Sequence, residues 1–139
     1  MARLEFFVVS EGVTVDKFTN QLSLFNILEG VASNNFPFVL PYFVAVSMWM
    51  MEDGDGERDF QVMLRVTMPN LAPQEFTTNF KFISRRHRVL QRIQGLPLNE
   101  PGVLRFEVLL NGQHAASHEV DVSRIGMDTE GSPTTAEAG

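Results

Sequence analysis

The sequence predicts an all-β domain, a two-sheet sandwich of about eight strands, and three observations carry that expectation. Short apolar or alternating runs recur along the chain, separated by Gly, Pro, Asn and Asp. At 139 residues the chain fits one domain of ordinary size and is too short for two. The apolar faces carry bulky Phe, Leu and Met, which fill the space between two sheets instead of lining the cavity of a barrel.

Residues 4–10, rich in Phe and Val, form the first expected strand, and Glu11-Gly12 breaks it. Residues 16–20 are a polar turn. The run 21–28 then sets Leu22, Leu24, Asn26 and Leu28 on one face and Ser23, Phe25 and Ile27 on the other. Proline disfavours the helical region for the residue before it, so Phe36 and Leu40 are extended. Residues 42–51 alternate Val44, Val46, Met48 and Met50 against Phe43, Ala45, Ser47, Trp49 and Met51. Apolar on both faces, this run reads as a central strand or one covered by a partner. Residues 52–59, with two glycines, read as a hairpin loop.

Residues 60–68 point Phe60, Val62, Leu64, Val66 and Met68 inward. Residues 75–83 alternate Phe76, Thr78, Phe80 and Phe82 against Thr77, Asn79, Lys81 and Ile83. Residues 85–88 form a charged break. In 89–96 the apolar spacing fits a helix slightly better, but flanking strands and Pro97 favour a strand. Residues 103–110 turn Leu104, Phe106, Val108 and Leu110 inward, and Asn111-Gly112 supplies the two residues that tolerate a type I′ turn. Residues 113–122 close that hairpin, with Ala116, His118, Val120 and Val122 on one face. The sandwich domain is expected to span 1–125, and the small polar residues 126–139 read as a disordered tail.

Composition narrows the function classes. A net charge of −6 opposes non-specific binding to nucleic acid or anionic membranes. Twelve Phe against one Tyr and one Trp assigns most aromatic rings to the core, because Phe has no polar handle. Without cysteine there is no disulfide, thiolate nucleophile or thiolate zinc site. Glu5 interrupts the apolar start, so no signal peptide is expected, and Pro37 and Pro41 interrupt the longest nearly charge-free stretch. A cytoplasmic protein with no cofactor follows as the expectation.

Three groups of residues are candidate sites. Glu52, Asp53, Asp55, Glu57 and Asp59 crowd one loop, and hard carboxylate oxygens suit calcium. The EF-hand spacing fails, since neither Asp53 nor Asp55 as first ligand puts glycine sixth; Asp53, Asp55, Glu57 and Asp59 are therefore weighed against a solvated loop. Arg85, Arg86, Arg88 and Arg92, with Lys81 nearby, concentrate positive charge and suit an anion or an acidic partner, with Glu75 or Glu100 as neighbouring carboxylates. They lack the glycine-rich turn of a phosphate loop and the interleaved aromatics of a nucleic-acid platform. Trp49, Met51 and Met63, if on one outward face, would form an apolar contact patch. His114 and His118, four apart on a strand, share a face but stand too far apart for one metal. No serine sits in a G-x-S-x-G elbow.

Two segments carry a family resemblance. One is Gln21-Leu22-Ser23-Leu24-Phe25-Asn26-Ile27-Leu28-Glu29-Gly30-Val31, followed by Phe36-Pro37. The other runs from Gln94-Gly95-Leu96-Pro97-Leu98-Asn99-Glu100-Pro101-Gly102 through Val103-Leu104-Arg105-Phe106-Glu107-Val108-Leu109-Leu110 to Asn111-Gly112. Together they resemble an uncharacterised family of small bacterial domains. The resemblance implies an immunoglobulin-like β-sandwich, assigns no activity, and transfers no catalytic residue. The chain departs from that pattern at Phe25-Asn26 and in the arginine-rich stretch 85–88. The function expected is a non-enzymatic binding or assembly module that self-associates as a homodimer or binds another protein. The alternative is a small-ligand or anion-binding protein that uses the arginine cluster.

Overall fold

Alternation with a period of two dictates strands, and the computed structural model, which describes residues 1–125, contains nine of them and no helix among the described residues. They are β1 (Arg3–Val15), β2 (Leu22–Ile27), β3 (Gly30–Ser33), β4 (Phe38–Met50), β5 (Phe60–Thr67), β6 (Gln74–Phe80), β7 (Arg86–Leu98), β8 (Gly102–Leu110) and β9 (Gln113–Arg124). The extra strand over the expected eight is β3, whose four residues were too short to register as a run. The expected tail, 126–139, lies outside the described residues.

The strands form an immunoglobulin-like two-sheet sandwich. The first sheet has the order β2-β1-β4-β7 and the second β3-β9-β8-β5-β6. Pairing is antiparallel throughout, except for β3 against β9. Residues 52–59 are not a hairpin: they carry the chain from β4 in one sheet to β5 in the other. Asn111 and Gly112 do form the expected tight turn, with φ of 49° and 84°. The Asn111 side chain also accepts the Gln61 N–H at 2.9 Å, which ties the β8–β9 turn to β5.

The inter-sheet core follows the inward alternation: Phe60, Val62, Leu64, Val66 and Met68 from β5 and the residue that follows it, Leu104, Phe106, Val108 and Leu110 from β8, Val120 and Val122 from β9. The first sheet answers with Phe7, Val9, Phe43, Ala45, Trp49, Val89 and Ile93. The rings of Phe43 and Phe106 meet edge to face at 5.1 Å, a favoured aromatic geometry. Trp49 is 1 % exposed, and its indole N–H donates to Ser47 Oγ at 2.9 Å. This corrects the apolar patch expected from Trp49, Met51 and Met63. Trp49 points between the sheets, Met51 packs against that same core, and Met63 faces outward from the other sheet.

The outer face of the first sheet explains why β4 is apolar on both sides. Val44, Val46, Met48 and Met50 are buried yet lie outside the inter-sheet core. Phe6 pairs with Met48, and Met48 with Arg88. In a straight strand Val15 would lie about 30 Å beyond Phe6 along β1. Yet Arg88 Nη2 donates to the carbonyl of Asn20, in the β1–β2 turn, at 2.7 Å. The β1–β2 arm therefore folds back across this face. Its kink lies where β1 leaves β4 after Ser10, and opposite it Asn26 adopts φ 55° and donates to the Glu11 carboxylate at 2.9 Å. Half-buried Val13, Leu22 and Leu24 on the arm stand apart from the inter-sheet core, as a second small cluster over β4 requires.

Candidate functional site

Strand β7 is an outer strand of the first sheet, paired only with β4. It begins at Arg86, so the expected charged break at 85–88 is largely strand. Val89, Gln91 and Ile93 point inward and are buried. The alternate residues Arg86, Arg88, Leu90 and Arg92 share the outer face, opposite Met50, Met48, Val46 and Val44. Three of the four arginines of the expected cluster thus form a row. Arg85 precedes the strand, and its carbonyl accepts the Met51 N–H at 2.8 Å.

The partners of this row differ from those expected. Arg86 forms a two-pronged pair with Glu5, with Nε–Oε1 at 2.8 Å and Nη2–Oε2 at 3.2 Å. That hydrogen bond holds the Glu5 carboxyl below the usual range. Glu75 instead pairs with Arg65 on the second sheet at 3.1 Å, and Glu100 accepts from Asn70. Sequence distance hides Glu5, because only the β1–β4–β7 register brings residue 5 beside residue 86. Among the described residues Arg92 and Arg85 have no ion pair and no side-chain hydrogen bond.

The outer face of the second sheet makes a useful contrast. There Arg65 meets Glu75 and Glu107, Arg105 meets Glu119 at 3.4 Å and Glu107 at 3.5 Å, and His114 lies 3.6 Å from Glu107. Its positive groups are matched across strands. Within the expected polar turn lies Phe18, 90 % exposed at the tip of the folded-back arm, two residues from the Asn20 that Arg88 holds. Asp16 shapes that tip by accepting the Phe18 and Thr19 N–H groups at 2.8 and 2.9 Å. Those backbone donors, Thr19 first, lower its carboxyl pKa.

Two of the four candidate carboxylates of the acidic loop, Asp55 and Asp59, meet the protein's own cations. Asp55 is fully buried, accepts the Glu52 N–H at 3.0 Å, and lies 3.5 Å from the Arg58 guanidinium. Asp59 faces Lys81 at 3.8 Å. Among the described residues no three carboxylate or imidazole groups gather in a metal-binding arrangement, so Asp53, Asp55, Glu57 and Asp59 are not brought together as calcium ligands.

The histidines are also placed differently from the strand expectation. A bulge pairs Leu109 with His114 and Val108 with Ala116, so Ala115 is an extra residue. His114 consequently turns outward, while His118 turns inward and meets the Leu28 carbonyl through Nε2 at 2.6 Å. His87 stacks on Phe80, with ring centres 4.4 Å apart and planes 3° apart. Burial first, and the Arg88 charge second, push its imidazole below the ordinary value.

No helix among the described residues is long and apolar enough to cross a membrane. None of the curated proteins matches the chain. A model of the family of unknown function DUF6941 matches residues 5–123, nearly the whole sandwich, and the chain belongs to that family.

Proposed function

We propose that this chain is a non-enzymatic binding module that engages an acidic protein partner along the β7 margin. The observation that carries this reading is the row of Arg86, Arg88 and Arg92 on one face of an outer strand: Arg86 pairs with Glu5, but Arg88 and Arg92 have no carboxylate partner among the described residues, in a chain of net charge −6 whose other sheet face is matched in charge. A compact anion such as phosphate needs guanidinium groups that converge. Here the side chains leave the strand about 7 and about 13 Å apart, which suits charges spaced along an extended chain.

The test is binding of a fluorescent poly-glutamate probe to the full chain. The Arg88→Glu/Arg92→Glu variant is expected to lose binding, and Arg65→Glu on the opposite sheet to retain it. Absence of binding by the parent protein, or equal loss in the Arg65 variant, overturns the reading. Self-association is a second reading, favoured by the exposed Phe18. It predicts a dimer mass by light scattering at high concentration that Phe18→Ser reduces to the monomer mass; a parent protein that is monomeric at every concentration refutes it.

A further inference from the structure

Hydrogen bonding in an antiparallel pair alternates, so one bond fixes which residues face the partner strand. The Met51 N–H to Arg85 carbonyl bond makes that pair a bonded one. Stepping by two along the register, His87, Val89, Gln91 and Ile93 bond to β4. The backbone N–H and C=O groups of Arg86, Arg88, Leu90, Arg92 and Gln94 therefore point away from β4, to the open margin of the sheet. Among the described residues none of these groups has a backbone partner, and the one side-chain contact is Ser84 Oγ to the Arg86 carbonyl at 3.1 Å. The regular stretch stops at Gly95, with φ 79°, and Pro97 follows without an N–H.

Arg86, Arg88, Leu90 and Arg92 thus present both an unpaired ladder at the margin and the arginine row on the face. A second copy of β7 is a poor occupant. Antiparallel pairing about Leu90 sets arginine against arginine, position 88 against 92 twice over, and like charges directly opposite destabilise a sheet. Nucleic acid offers no backbone that continues a β ladder, and the net charge of −6 repels it.

We propose that β7 accepts an extended acidic segment of a partner protein as a fifth strand of the first sheet. Carboxylates at alternate positions of the segment lie across from Arg92, Arg88 and Arg86, and an apolar side chain lies across from Leu90. This rests on the reading of the β7 margin as an acidic-partner site and adds how the partner is held. Main-chain bonds supply the attachment, and the arginine spacing supplies the selection.

The probe is the capped peptide Glu-Thr-Val-Thr-Glu-Thr-Glu, titrated into the full chain with nuclear magnetic resonance detection. Binding is expected to shift the amide signals of Arg88, Leu90 and Arg92, and to slow their hydrogen exchange at least tenfold. The same peptide methylated on alternate amide nitrogens is expected to bind at least tenfold more weakly. Leu90→Pro removes a margin donor without removing a bond to β4, and is expected to weaken the peptide at least tenfold while the thermal transition is kept. If that variant does not fold, the methylated peptide still decides. Equal binding of the methylated and unmethylated peptides overturns strand addition while leaving the acidic-partner reading intact. No binding of either peptide overturns strand addition, and the poly-glutamate result then judges the broader reading. Tighter binding of single-stranded DNA than of the peptide overturns both.

Discussion

Trp49 and His87 sit opposite each other across the β4–β7 pair, and each makes a residue-level prediction. Trp49 is enclosed by the inter-sheet core, and its one polar atom is satisfied by Ser47. Trp49→Ala is expected to lower unfolding free energy by about 3–5 kcal/mol, read from urea denaturation, because the cavity cannot close between two packed sheets. Met63→Ala, on an outward face, is expected to cost a small fraction of that. His87 is held below the ordinary imidazole value of 6.5 by burial and by Arg88. The unfolded chain therefore takes up this proton first as pH falls. The His87 contribution is whole above the unfolded value and is lost as pH falls through the folded one. A plot of melting temperature against pH is expected to bend downward just below neutrality, and His87→Gln to flatten that bend. Glu5, whose carboxyl is lowered by Arg86, acts in a separate and more acidic window, present above its unfolded value and lost below it.

Individual strands were legible where one face is core and the other solvent. In β5, and over residues 103–108 of β8 and 116–123 of β9, the inward residues could be read from alternation alone, since exposure reverses at every step there. Asn111-Gly112 was legible for a local reason, two residues that tolerate positive φ. Nothing comes within 4 Å of a Cβ placed on Gly112, so Gly112→Ala is expected to cost about 1–2 kcal/mol from backbone strain alone, measured by denaturation. The folded-back arm was not legible. Its position depends on a bond between residues 68 apart and on the left-handed backbone of Asn26, neither of which has a local signature. The bulge at Leu109 was hidden in the same way, and it reversed His114. The arm gives a test of its own. Arg88→Ala removes the guanidinium that holds the Asn20 carbonyl, and is expected to speed hydrogen exchange of the 16–21 amides while leaving β5 and β8 protected.

At the scale of the molecule, the arginine cluster was visible in sequence, but its form was not. Four cationic residues close in sequence fit either a converging pocket or a row, and only the strand direction and the β4 register decide for the row. Pairing with Glu5 likewise depends on which strands are neighbours. The sandwich is fastened at Leu28, where the chain leaves the first sheet for the second. Its N–H donates to the Val9 carbonyl at 2.8 Å, its carbonyl meets His118, and the Asp121 N–H reaches the Glu29 carbonyl at 3.2 Å. Leu28 is also buried, so Leu28→Ala is expected to cost about 2–5 kcal/mol and to loosen both sheets together, seen as one unfolding transition at lower urea.

The parallel pair of β3 and β9 sets a timetable for synthesis. Gly30 lies beside Asp121, so the strand made early must wait for the last one to emerge. At about 5–20 residues per second that wait is on the order of ten seconds on the ribosome. Through it, β3 is a bare strand in a nascent chain, the condition under which neighbouring polypeptides are recruited into misassembled sheets. Its brevity is the safeguard: four residues offer too few ladder bonds to capture a passing chain, yet enough to close the second sheet once Arg124 has been made.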